Sequence, residues 1–224
     1  MLKHAISPCR IRFARSDFDF VAGALAAHGE RCHLAKVWKD PEGLRELLDL
    51  GEIFRNLIES PAALTVSPSF YFYVLVRQSF LKNGMCAGEQ ADYVSQLMAR
   101  RVSVEDSDPL QDITGHFTRV SDFLGILAKT KGRLRRQLHI AAGNQFLLLT
   151  GLYPGFLKRR YEKGETPDPD FYVKFAQKAY RAASRCKCAG RNDGPDIHSS
   201  LADSLPTVRR ALNVMSEDLV FLGS

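Results

Sequence analysis

The sequence predicts an all-α protein: a multi-helix bundle of about 8–10 helices around one central apolar helix near residues 133–153. Three observations carry the prediction. Apolar residues crowd between Leu138 and Leu152 on nearly every face of a helix, as expected of a helix surrounded by others. Five capping residues stand directly before prolines: Asp40-Pro41, Ser60-Pro61, Ser67-Pro68, Asp108-Pro109 and Asp168-Pro169. Apolar positions elsewhere recur every three or four residues, and no alternating β pattern survives.

The 224 residues, 45% hydrophobic and 25% charged, suit a globular protein with a substantial core. Met1–Arg15 carries four cations but no continuous apolar stretch, so it does not read as a secretory leader. A membrane span needs about 20 predominantly apolar residues. The central run is shorter and is broken by Gly143, Asn144-Gln145, Gly151 and Pro154, so no membrane span is expected. Five cysteines, scattered except for Cys186 and Cys188, point to reduced thiols in a cytoplasm rather than a disulfide framework.

Charge is distributed unevenly. Lys129–Arg191 holds 15 Lys/Arg against 4 Asp/Glu, and the remainder holds 16 against 21. One region therefore attracts anions, or the two regions complement each other in the fold.

In chain order, Met1–Arg15 reads as an irregular arm. Ser16 is placed to cap a helix over Asp17–His28, with Gly29 at its end. His33–Trp38 is ambiguous. After each Asp-Pro or Ser-Pro pair a helix is expected, because proline presets φ and lacks an N–H that the first turn could not satisfy. Leu44, Leu47, Leu48, Ile53, Leu57 and Ile58 make a helical stripe after Pro41. Phe70–Val76 alone has strand propensity. The Ser67-Pro68 start, the continuation to Lys82 and the terminator Gly84 favour a buried helix.

Further helices are expected over Gly88–Arg101 and Pro109–Lys129, with an acidic loop Glu105–Asp108 between them. The central helix ends near Tyr153-Pro154 and a short basic helix, Gly155–Lys163, follows. Phe171–Cys186 then places Tyr172, Phe175, Ala176, Ala179, Tyr180 and Ala183 on one face. Lys187–Ile197 is the most loop-like stretch. Two helical pieces, Ser200–Ser204 and Pro206–Ser216, come last. The expected organisation is an arm over 1–15, a bundle domain over 16–186, a loop over 187–198, and a helical appendage over 199–224 packed on the same domain.

Two blocks, SPSFYFYVLVRQSF with ADYVSQLM and GNQFLLLTGLYPGFLKRR with DFYVKFAQKAYRAAS, resemble a group of uncharacterised bacterial helical proteins. The resemblance covers Ser67–Ser184. The chain departs from the group's pattern at Asn144 (Asp), at Gly155 (an acid) and at Phe171-Tyr172 (a Tyr pair). The resemblance implies a helical fold in a bacterial protein; the group has no assigned activity, so no catalytic residue carries over.

Candidate chemistry is sparse. Asn144 and Gln145 form a polar notch in the most apolar helix, and a buried amide left unpaired costs about 1–3 kcal/mol. They line an internal small-molecule pocket together with Tyr73, Arg77 and Tyr172, or they make inter-helix hydrogen bonds that fix packing; the second is the commoner use. Arg77 needs a partner if buried, with Asp92 or Asp122 as candidates. His139, Gly143 and Thr150 form a face suited to close approach of another helix.

Asp112 and His116 are four apart and share a helical face, but two ligands are too few for a metal site. His28, Cys32 and His33 straddle a predicted helix end, and Cys186-x-Cys188 lacks zinc-knuckle spacing. No metal, cofactor or catalytic residue is assigned, and no phosphate loop, nucleophile elbow or Ser-His-Asp order is present.

The cations Lys131, Arg133, Arg135, Arg136, Lys158, Arg159 and Arg160 form a candidate anion or nucleic-acid surface. The plainer account is solvated helix ends, with Lys158-Arg159-Arg160 complementing a helix dipole. The expected function is a non-enzymatic cytoplasmic binding or interaction protein with a small-molecule or protein partner. The alternatives are a nucleic-acid-associated protein and a metal-dependent enzyme around Asp112/His116.

Overall fold

Each Asp-Pro or Ser-Pro pair within reach of the structure does what its chemistry dictates. The structure is a computed structural model, and it describes residues 13–25, 31–102, 120–186 and 196–222. The side chain of Asp40 accepts from Gly43 N at 2.7 Å, Ser67 from Phe70 N at 3.2 Å and Asp168 from Asp170 N at 2.8 Å, each with proline in the first turn. Ser60 caps too, through Ala62 N, but only a 3-10 helix, Pro61–Thr65, follows before the next proline. Asp108-Pro109 lies outside the described residues, as do Glu105–Asp108 and most of the arm and of the Lys187–Ile197 loop.

The described residues form eleven α-helices and no strand. They divide into two compact units, 1–104 and 105–224, a boundary that falls inside the stretch expected to form one bundle.

The first unit holds α1 (Arg15–Ala24), α2 (Arg31–Lys39), α3 (Pro41–Leu48), α4 (Gly51–Glu59), α5 (Pro68–Lys82) and α6 (Gly88–Val102). The contested Phe70–Val76 segment is helical, inside α5. Every residue from Tyr73 to Phe80 is buried, and α6 packs closely along the helix. Such all-round burial explains why the segment carries strand-like aromatic and β-branched residues without being a strand.

The ambiguous segment His33–Trp38 is helical too, and Trp38 stacks on Phe70 with ring centroids 6.5 Å apart. The start of α1 differs from expectation. Ser16 is not the cap; Ala14 is, and Asp17 reaches back to its N–H at 2.7 Å. The buried Asp17 carboxylate also accepts from Ser67 N and Oγ, at 2.6 and 2.7 Å, which ties α1 to the head of α5.

The second unit holds α7 (Val120–Lys129), α8 (Gly132–Leu152), α9 (Pro154–Glu162), α10 (Pro169–Arg185) and α11 (Ile197–Leu222). The α8 helix packs against each of the other four, while Ile140, Ala141, Asn144, Gln145 and Leu149 are only half-buried. Its closest neighbour is α10, and the approach is set at Gly143, where an added Cβ would lie 2.6 Å from the Tyr180 ring. The two C-terminal pieces expected from the sequence are one helix. Pro206 sits inside α11 without ending it. Among the described residues, no helix is long and apolar enough to cross a membrane.

Candidate functional site

Helix α9, nine residues long, buries one side chain, that of Leu157. The rest of PGFLKRRYE is exposed, apart from the half-buried Pro154 and Arg160. Phe156 and Tyr161 are 44% and 49% exposed, and Tyr153, the residue before Pro154, is 57% exposed. Positions three, four and seven apart share a helical face, so Phe156, Arg159, Arg160 and Lys163 align along one side, with Tyr153 one turn before.

Gly164 then turns the chain. With φ of +70° it ends α9: its N–H bonds to Tyr161 O at 2.9 Å, and Glu165 N bonds to Arg160 O at 2.9 Å. This paired pattern at a left-handed glycine satisfies two end carbonyls and folds the following residue back onto the helix. Glu165 thereby meets Arg160, whose Nε donates to its Oε2 at 3.0 Å. The Arg160 guanidinium also lies over the Phe156 ring, 5.6 Å from its centroid.

Phe156, Arg159, Arg160, Lys163 and Glu165 together line an open groove of about 310 Å³. Three cations meet one acid there, beside an exposed aromatic ring. The chemistry is attraction of an anion together with a flat apolar surface, and the one carboxylate, Glu165, is already bonded to Arg160.

The predicted site residues are scattered. Tyr73 and Arg77 belong to the first unit, and Asn144, Gln145 and Tyr172 to the second. Tyr73 is buried with its ring 5.8 Å from that of Phe13. Arg77 is buried and paired, but with Asp49 rather than Asp92 or Asp122: Nε and Nη2 each donate to a carboxylate oxygen at 2.7 Å. The hydrogen bond to Asp49 outweighs burial and raises the Arg77 pKa. Gln78 beside it donates to Asp49 O at 2.8 Å. The side chain of Asp122 lies outside the described residues.

Asn144 accepts from the Tyr180 hydroxyl at 2.8 Å, the inter-helix bond expected of a packing amide. Gln145 is half-buried on the same helix. Tyr172 stacks on Phe146 at 5.3 Å, and burial raises its pKa against the lowering influence of Arg160.

The seven candidate anion residues separate by role. Arg135 and Arg136 are helix caps. Arg135 Nη1 donates to Leu127 O at 3.1 Å and Thr130 O at 3.3 Å, closing the end of α7, while Arg136 Nε donates to Ala183 O at 3.2 Å, near the end of α10. A cation at a helix C-terminus satisfies a carbonyl and complements the dipole. Lys131 and Arg133 are exposed at the start of α8. Lys158 stands 4.0 Å from Glu162, and only Arg159 and Arg160 reach the groove.

Phe156, Lys163 and Glu165 were missed from sequence. A signal was present: Tyr153–Lys163 alternates aromatics and cations around one inward-facing leucine, which is too few apolar residues for a packed helix.

Asp112, His116 and His28 lie outside the described residues, and Cys32 and His33 are exposed at the start of α2. Among the described residues no three His, Cys, Asp or Glu side chains gather as a metal site would require. No protein-family model, no curated protein and no solved structure matches the chain.

Proposed function

We propose that the protein is a non-enzymatic helical binding protein that takes an anionic partner at the α9 groove. The observation that supports this is the groove itself, an open concavity of about 310 Å³ where Arg159, Arg160 and Lys163 surround the exposed Phe156. A cationic stripe on α10 adds to it: Lys174, Lys178, Arg181 and Arg185 are all exposed and recur four, three and four residues apart. Of these, Arg181 meets Asp203 at 3.2 Å in a solvent-exposed pair, which contributes little on its own. The exposed free thiols of Cys32 and Cys86 accord with a cytoplasmic setting.

An internal pocket at Tyr73, Arg77, Asn144, Gln145 and Tyr172 has weaker support, because Arg77 and Asn144 already bond Asp49 and Tyr180. Calorimetric titration with inorganic polyphosphate tests the anion reading. Binding should weaken as salt rises, and Arg159→Ala with Lys163→Ala should reduce both affinity and salt dependence. Affinity unchanged in that double variant sinks it.

A further inference from the structure

We infer that the partner of the α9 groove is single-stranded nucleic acid, with bases stacked on Phe156 and Tyr153 and phosphates held by Arg159 and Lys163. The inference rests on the anion reading above and adds the aromatic component that reading leaves unused.

A site for a bare anion needs cations and hydrogen-bond donors; it gains nothing from exposed rings. Here Phe156, 44% exposed, lines the cationic groove, and Tyr153, 57% exposed, stands three residues before it in the chain. Exposed aromatics one helical turn apart, followed by cations over the next two turns, match a strand whose bases and phosphates alternate.

Arg160 has a different part. Bonded to Glu165 and lying over the Phe156 ring, it holds the ring in place and partly neutralises the only acid of the groove, so it is a positioning residue. Arg159 and Lys163 are the groove cations left to meet phosphate.

Duplex fits poorly. Its bases are stacked and paired, so the rings would find no free base face, and α9 places its cations around a concavity rather than on a ridge that enters a groove. An anionic bilayer would also attract aromatics and cations. It calls, however, for a broad apolar face along a helix lying flat, and on this side of α9 the aromatics are Phe156 and the preceding Tyr153.

The test is fluorescence anisotropy of the full chain with labelled oligothymidylate, the same strand paired to its complement, and inorganic polyphosphate as competitor. Co-sedimentation with phosphatidylserine–phosphatidylcholine vesicles runs alongside. The single strand should bind more tightly than the duplex. Phe156→Ala should weaken the single strand by about fivefold or more while leaving polyphosphate unchanged, since loss of one stacked base costs about 1–3 kcal/mol. Arg159→Ala should weaken both ligands and lower the salt slope for the strand by about 0.7. Phe156 is exposed, so an unchanged melting temperature will show that its variant is folded.

If Phe156→Ala and Tyr153→Ala leave strand affinity intact while Arg159→Ala weakens both anions, the nucleic-acid inference fails and the anion reading stands. If Arg159→Ala and Lys163→Ala change nothing, both fail. Vesicle binding that exceeds strand binding and is lost in Phe156→Ala overturns the inference in favour of a lipid surface.

Discussion

Gln177 Nε2 donates to the carbonyl oxygen of Ala202 at 2.9 Å, and that carbonyl is the one Pro206 leaves without its helical partner. Within a helix the N–H of residue 206 would bond back to residue 202; proline has none. A side chain from α10 supplies the donor instead, so α11 continues through its proline.

Removing the donor should therefore destabilise the second unit. Gln177→Ala is expected to cost about 1–3 kcal/mol, the penalty of an unsatisfied buried carbonyl. Denaturant unfolding followed by circular dichroism measures it. Pro206→Ala restores a backbone N–H, so in that background the cost of Gln177→Ala should shrink; equal costs in both backgrounds would refute the substitution of one donor for the other.

Two glycines on α8 meet α10 and α11 at short range, yet they should respond differently to a methyl group. A Cβ at Gly143 would lie 2.6 Å from the Tyr180 ring, and one at Gly151 would lie 2.8 Å from a terminal methyl of Leu212. The ring is also tethered through its hydroxyl to Asn144, whereas a rotamer change can move the leucine methyl and leave only the fixed Leu212 Cβ, at 3.0 Å, in close contact. Gly143→Ala should cost about 1–3 kcal/mol net of the helix propensity it gains, and Gly151→Ala clearly less. Equal melting temperatures for the two variants would contradict this.

In the first unit, Asp49→Ala strands the buried Arg77 guanidinium. The expected loss is about 3 kcal/mol, the low end for a broken buried pair because Asp49 itself keeps 24% of its side chain exposed. The single tryptophan, Trp38, lies in this unit and reports its unfolding by fluorescence. The double variant Arg77→Met with Asp49→Leu should recover much of the loss. A double variant as unstable as Asp49→Ala would show that the charge is not what matters.

Acid should destabilise the second unit in two steps. Burial, and secondarily the nearby Arg135 cation, hold the His139 pKa below 6.5. The unfolded chain therefore takes up this proton first, and the stability it represents is full above pH 6.5 and lost as pH falls below it. Burial alone would raise the Asp196 pKa, but hydrogen bonds from Ser184 and His198 outweigh it and leave it below 3.8. Its contribution is present above pH 3.8 and disappears as pH falls through the lower folded value. Melting temperature against pH should show His139→Leu abolishing the first loss and Asp196→Asn the second; an unaltered first loss in His139→Leu argues against the assignment.

How much of the site was legible follows from the range of its interactions. Arg159 and Arg160 could be picked out by charge alone. Glu165 could not, since its place depends on the turn at Gly164, and Lys163 was marked only by the Tyr153–Lys163 pattern. Arg135 and Arg136 read as free cations, yet Arg136 bonds a carbonyl 47 residues away and Arg135 one eight residues back, and neither partner has a side-chain signature.

What the chain alone determined is the all-helical class and the helix starts marked by Asp40, Ser67 and Asp168. Asp40, Ser67 and Asp168 bond N–H groups two or three residues ahead, and such short-range geometry is written in adjacent letters. The tertiary structure decided where polar side chains spend their hydrogen bonds. Gln177 reaches Ala202, Asn213 donates to Thr150 O and Gly151 O at the end of α8, and Arg77 takes Asp49. Backbone carbonyls look alike at every position in a sequence, so only packing can determine which of them, orphaned at a helix end or before a proline, a distant side chain will satisfy.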